Sequence, residues 1–136
     1  MTPEQLAEIH ALSFTQPRPW SAAEFSDFLA SECTHLLTSE NGFALIQIAG
    51  PEAELLTIAV LPNVRRNGQG STLLTAALAT AKAATCKDIF LEVVDTNTPA
   101  IELYKSKGFS ERGIRKDYYN GPNGAKSSAL IMHKSL

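Results

Sequence analysis

The sequence predicts an α/β fold in which a mixed sheet carries helices on both faces, in the order α-α-β-β-β-α-β-α-β-β. Three observations point there. Short apolar runs between residues 35 and 61 are punctuated by the turn pairs Asn41-Gly42 and Gly50-Pro51. The last of these runs passes through a basic, glycine-bearing loop straight into an amphipathic helix. Asp88 to Val94 then reads as a further strand leading into a proline-started helix and a closing pair of strands. A chain of 136 residues, 44% hydrophobic and 19% charged, suits one core, so residues 1–136 are expected to form a single domain.

Taken in order, Thr2 is placed to cap a first helix, with Pro3 at its first position and Gln5 reaching back. Leu6, Ile9 and Leu12 give that helix an apolar face, and it should end near Phe14, before the stiff segment Gln16-Pro17-Arg18-Pro19. Ser21 and Glu24 repeat the capping signal, with Trp20 set to staple onto Phe25 and with Phe25, Phe28 and Leu29 facing the core. His35 to Ser39 and Phe43 to Ala49 read as a hairpin about Asn41-Gly42, and Glu54 to Leu61 as the next strand. The following helix repeats Leu73, Leu74, Ala77, Leu78 and Ala81 at core spacing. Asp88 to Val94 is so apolar that burial on both faces is expected. Asn97 or Thr98 caps the next helix with Pro99 just inside it and Gly108 at its close. Phe109 to about Tyr118 and Ser127 to His133 form the last antiparallel pair, around Asn120-Gly121-Pro122-Asn123-Gly124.

Composition narrows the classes of function. A formal net charge of −2 gives no general attraction to nucleic acid, and no basic footprint larger than Arg65 and Arg66 is visible. Cys33 and Cys86 lack metal-ligand spacing, so no metal is expected and both read as buried small hydrophobes in a reducing compartment. The start has neither a basic flank nor an apolar core, and no run reaches the ~18 apolar residues of a membrane span. A soluble, cytoplasmic protein is expected.

The stretch from Leu55 to Ser71 carries the strongest chemical signal. Gly68 and Gly70 let a ligand approach the main chain, and the first N–H groups of the next helix have no intrahelical partner and point outward. Arg65 and Arg66 add charges suited to phosphate oxygens. No Gly-Lys-Ser/Thr occurs, which excludes a Walker loop, and Leu73 stands where a dinucleotide loop needs its third glycine.

Two further residues are candidates for chemistry. Glu92 interrupts the run Ile-Phe-Leu-Glu-Val-Val, where a carboxylate is costly unless paired or facing a cleft. It is a candidate general base, whose pKa partial burial would raise, or else an edge glutamate or one paired with a nearby lysine. Tyr104 stands on the next helix, either as a core residue or as a phenol able to donate a proton at neutral pH.

Arg65-x-x-Gly68-x-Gly70 resembles the acetyl-coenzyme A pyrophosphate loop of the GNAT N-acetyltransferase superfamily. Leu91-Glu92-Val93, Asn97, Ala100-Ile101 and Leu103-Tyr104 up to Gly108-Phe109 resemble its second block, most of all in the RimI-type ribosomal-protein-alanine N-acetyltransferases. Ile58-Ala59-Val60, Pro19-Trp20-Ser21 and Arg115-Lys116-Asp117-Tyr118-Tyr119 extend the likeness over most of the chain from Pro19 onward. It implies a mostly antiparallel GNAT sheet, with a bulged strand whose freed N–H groups polarise the thioester carbonyl. It makes Glu92 the proton acceptor from the substrate amine and Tyr104 the proton donor to departing coenzyme A. Main-chain groups of Ile58, Ala59 and Val60 would hold the acetyl and pantetheine arm, and Arg65, Arg66, Asn67, Gly68, Gln69, Gly70 and Ser71 the pyrophosphate. Asn97 would hydrogen-bond the cofactor, while Trp20, Tyr118 and Tyr119 would bracket an N-terminal tail; those aromatics read equally as a staple and as strand residues. Such direct attack needs neither metal nor nucleophilic cysteine.

The resemblance implies acetyl-CoA as co-substrate and, as acceptor, the N-terminal alanine of a small-subunit ribosomal protein. A small-molecule amine or lysine acceptor, and a non-catalytic acetyl-CoA-binding domain, are the other readings. Two departures stand out: only Met1 precedes the first cap, where the family commonly has a strand, and Val94 replaces an arginine frequent in these enzymes.

Overall fold

Two reciprocal capping boxes start the helices that open the chain. The Gln5 N–H donates to Thr2 Oγ1 at 3.1 Å and the Thr2 N–H to Gln5 Oε1 at 2.8 Å. Ser21 and Glu24 do the same at 3.2 and 3.1 Å. The structure, a computed structural model, describes residues 1–13, 18–64, 68–120 and 124–136. Its elements are α1 (Pro3–Ser13), α2 (Ala22–Ala30), β1 (Thr34–Ser39), β2 (Gly42–Ala49), β3 (Glu52–Val60), α3 (Gln69–Ala83), β4 (Asp88–Val94), α4 (Thr98–Ser106), β5 (Ser110–Asn120) and β6 (Lys126–Ser135), with a 3₁₀ turn at Pro62–Val64. This is the predicted order.

The strands form one sheet, β1-β2-β3-β4-β6-β5, antiparallel throughout except for the β3–β4 pair that α3 connects. β2 shows how the two layers are built. Ala44 and Ile46 point into the core beneath Leu73, Leu74, Ala77 and Ala81 of α3 and Tyr104 of α4. Phe43 and Leu45 point the other way, against Leu6 and Ile9 of α1 and Phe25 of α2. Trp20 staples onto Phe25 with ring centroids 5.5 Å apart. Among the described residues, no helix is long and apolar enough to cross a membrane.

Four expectations need correction. Leu12 is exposed, because α1 turns Leu6, Ile9 and His10 inward and Leu12 away from them. Cys33 is exposed as well, whereas Cys86 is buried. β4 is not covered on both faces: Ile89, Leu91 and Val93 are buried while Phe90 and Glu92 are half-buried, since α1 and α2 sit over the opposite end of the sheet. The hairpin turn consists of Glu40 and Asn41, with Gly42 already paired to Ser39. Gly42 serves a close approach instead, since a Cβ there would lie 2.6 Å from the Ala59 carbonyl oxygen. The predicted helix end at Phe14 and part of the last loop lie outside the described residues.

Gly42→Ala should therefore destabilise the fold by about 1–3 kcal/mol, because backbone must move to admit the methyl group. Urea unfolding measures this. An unchanged midpoint would mean that β2 and β3 separate locally without cost.

Candidate active site

The site begins where β3 and β4 part. They pair in parallel only from Glu52 opposite Asp88 to Leu55 opposite Leu91. Beyond that point β3 continues against β2, and β4 against β6. A bulge marks the divergence: Ile46 faces Leu55 and Leu45 faces Thr57, so Leu56 is the extra residue. The Leu61 N–H donates to the Asn41 carbonyl at 2.9 Å. By antiparallel alternation Thr57 and Ala59 then exchange hydrogen bonds with β2, and the main-chain groups of Ile58 and Val60 turn toward the opening. The implied bulge is present; beside it Ile58 lines the cleft, while the Val60 carbonyl accepts from Ser13 Oγ at 3.3 Å.

A cleft of about 310 Å³ occupies the parting and brings together residues from six segments of the chain. Glu92 and Asn97 come from β4 and the turn after it, Tyr104 from α4, Trp20 from the start of α2, and Tyr118 and Tyr119 from β5; Ile58 lines it from β3. Glu92 is paired, to an arginine and not a lysine: Arg115 Nη2 lies 3.3 Å from its Oε1. Arg115 also stands over the Tyr118 ring at 5.2 Å. Tyr104 is buried, and burial pushes its hydroxyl well above the usual phenol range, so it is held protonated. Asn97 caps α4, its Oδ1 accepting from the Ala100 N–H at 3.4 Å. In β5, Lys116, Asp117 and Tyr118 oppose Ser128 alone, a distortion with Asp117 at φ 52° that sets the two tyrosines at the cleft.

The glycine loop fits a phosphate-bearing ligand on its own geometry. Gly68 caps α3 in the left-handed conformation, at φ 86°, and no side chain caps the helix among the described residues. The N–H groups of Gln69, Gly70 and Ser71 open the helix there. The Gln69 side chain points elsewhere, its Oε1 accepting from Ser39 Oγ at 2.9 Å and the Asn41 N–H at 3.3 Å. The Ala59 and Val60 side chains are core, and the Ala59 main chain pairs with β2, so neither side chain reaches a cofactor. Arg65, Arg66 and Asn67 lie outside the described residues.

Sequence reasoning missed Glu54, Arg115, His10 and Thr57 here. Glu54 lines the cleft from β3; its carboxyl is pushed up first by desolvation and then by the charge of Glu92, against the opposing pull of Arg115. Arg115 itself supplies a positive charge beside Glu92 although position 94 is a buried valine. His10 is buried in the cleft wall, stacked on Trp20 at 5.0 Å, and joined to Thr57 Oγ1 at 3.0 Å through Nε2. The 47 positions between His10 and Thr57 left no local pattern to read. Alternation in Glu52-Ala53-Glu54 was the one available signal for Glu54.

A bulged β3 that parts from β4 and runs on to a glycine-capped helix is the arrangement that the resemblance to acyl-coenzyme A N-acyltransferases implies. Residues 4–109 match the Acetyltransferase (GNAT) family, and the chain belongs to that family. It is 35% identical over 118 residues to the ribosomal protein bS18-alanine N-acetyltransferases of Haemophilus ducreyi and of Escherichia coli K12, covering 84% of this chain and 81% and 79% of theirs. The crystal structure of the ribosomal-protein-S18-alanine N-acetyltransferase from Escherichia coli superposes with a TM-score of 0.88 at 30% identity, over 98% of this chain and 87% of that one. The protein is thus an acetyl-CoA-dependent N-acetyltransferase.

His10 gives the site a pH signature. Burial lowers its pKa to about 4, with Glu24 opposing. The unfolded chain takes up a proton at this residue below about pH 6.5, while the folded chain does so only near pH 4. Its contribution to stability thus falls as pH drops through that window and levels off below it. Urea midpoints at pH 7 and pH 4.5 should differ less for His10→Gln than for the wild type; equal differences would mean that His10 titrates freely in the folded protein.

Proposed function

We propose that the protein transfers the acetyl group of acetyl-CoA to the N-terminal amine of a ribosomal protein, an alanine amine by likeness to its relatives. The observation that carries the catalytic part is the convergence of Glu92 and Tyr104, from a strand and a helix, on one cleft at the parting of β3 and β4. Acetyl-CoA supplies an acetyl thioester; the chain has to bind it, free an amine to attack it, and protonate the sulfur that leaves.

The opening helix N–H groups of α3 hold the diphosphate, and the outward main-chain groups of Ile58 and Val60 hold the arm and polarise the carbonyl. Glu92 takes the proton from the acceptor's ammonium. An N-terminal amine, with a pKa of ~8, gives up that proton far more readily than a lysine at ~10.4, so a carboxylate held by one guanidinium suffices. Tyr104, kept protonated by burial, donates its hydroxyl hydrogen to the departing sulfur. Glu54 and Glu92 outnumber Arg115, so the acceptor side attracts a cation. Trp20, Tyr118 and Tyr119 flank the tail that follows the amine.

Free-thiol release from acetyl-CoA should be fast with peptides beginning in alanine, and slow with N-terminally blocked peptides carrying internal lysine or with polyamines. Equal rates would overturn the acceptor assignment. Tyr104→Phe should lower turnover by about 100-fold while acetyl-CoA affinity, read by calorimetry, stays within about twofold. Unchanged turnover would remove Tyr104 as the acid.

A further inference from the structure

The His10 ring has a defined tautomer, because one of its hydrogen-bond partners can only donate. The Trp20 backbone N–H reaches His10 Nδ1 at 3.0 Å, so Nδ1 carries the lone pair and the proton sits on Nε2. Nε2 in turn is 3.0 Å from Thr57 Oγ1, so the threonine oxygen accepts and its own hydroxyl hydrogen has to go elsewhere. Among the described residues no acceptor for that hydrogen is found. Thr57 stands one residue beyond the bulge, on the wall that also holds Trp20, and it lines the cleft together with Glu92. The cleft is the direction left for the donor, and an acceptor amine brought to Glu92 passes this wall.

We infer that Thr57, oriented by His10, donates a hydrogen bond to the first peptide carbonyl of the acceptor and thereby selects α-amines of polypeptides over amines that lack a neighbouring amide. The inference rests on the N-terminal-amine reading above. An α-amine carries an amide oxygen two carbons away, whereas a lysine side-chain amine ends a run of methylenes with nothing for the hydroxyl to meet. His10 acts as a positioning residue: accepting from Trp20 obliges it to donate to Thr57, so the hydroxyl cannot turn its hydrogen back into the wall.

The test compares kcat/KM for an alanine-first peptide with that for the same peptide whose first amide carbonyl is reduced to methylene. Wild-type enzyme should prefer the intact peptide. Thr57→Val, which keeps the side-chain shape, should shrink that preference about 5- to 10-fold through the peptide KM, with the KM for acetyl-CoA unchanged, and Thr57→Ser should restore it. A preference the same in Thr57→Val as in wild type, or a loss that Thr57→Ser does not restore, overturns the inference. If the wild type acetylates both peptides equally well, the role of Thr57 falls and the N-terminal-amine reading survives; if it acetylates neither, both fall.

Discussion

The fold depends on β3 losing its partner halfway along. Every other strand pairing is antiparallel, but β3 and β4 run parallel and are joined for only four residues, up to Leu55 and Leu91. One extra residue, Leu56, shifts which residues of β3 pair with β2. Main-chain groups beyond it no longer face a strand: the Val60 carbonyl accepts from Ser13 Oγ at 3.3 Å, and Ile58 faces the cleft. The cleft, the exposure of Glu92 and the access to Tyr104 all follow from that parting.

The remaining devices hold the parting in shape. The Asn41 carbonyl accepts from Leu61 just after β3, and its N–H donates to Gln69 in the first turn of α3. One hairpin residue thus fixes both the end of the strand and the start of the helix across the glycine loop. Along the cleft, Arg115 holds Glu92 and stacks on Tyr118, while His10 holds Thr57 and stacks on Trp20. Each wall therefore pairs one aromatic with one polar group, and each polar group is oriented from a different element. Side chains fixed this way have little freedom left to lose on binding a ligand.

Element order and both capping boxes were legible because they rest on local rules, residue spacing and side-chain reach within one turn. The strand-to-helix glycine loop was legible for the same reason. Gly42 misled because Asn-Gly is a turn signal on sequence grounds, whereas the glycine is needed for the approach of Ala59 from another strand. β4 misled because an apolar run does not say which half of a sheet its helices cover. At the site, Glu92 stood out as a carboxylate in an apolar strand, yet its partner Arg115 lies two strands away in the sheet, across β6. Glu54, His10 and Thr57 are ordinary residues in sequence, and only the register of β3 and the packing of α1 bring them to the cleft.

A crystal structure of the protein with acetyl-CoA tests the central claim most directly. The account predicts the thioester carbonyl within hydrogen-bond distance of a main-chain N–H at Ile58 or Val60, the diphosphate at the first turn of α3, and the sulfur facing the Tyr104 hydroxyl. Coenzyme bound elsewhere, or a β3 that closes against β4 past Leu55 to exclude it, would contradict that account.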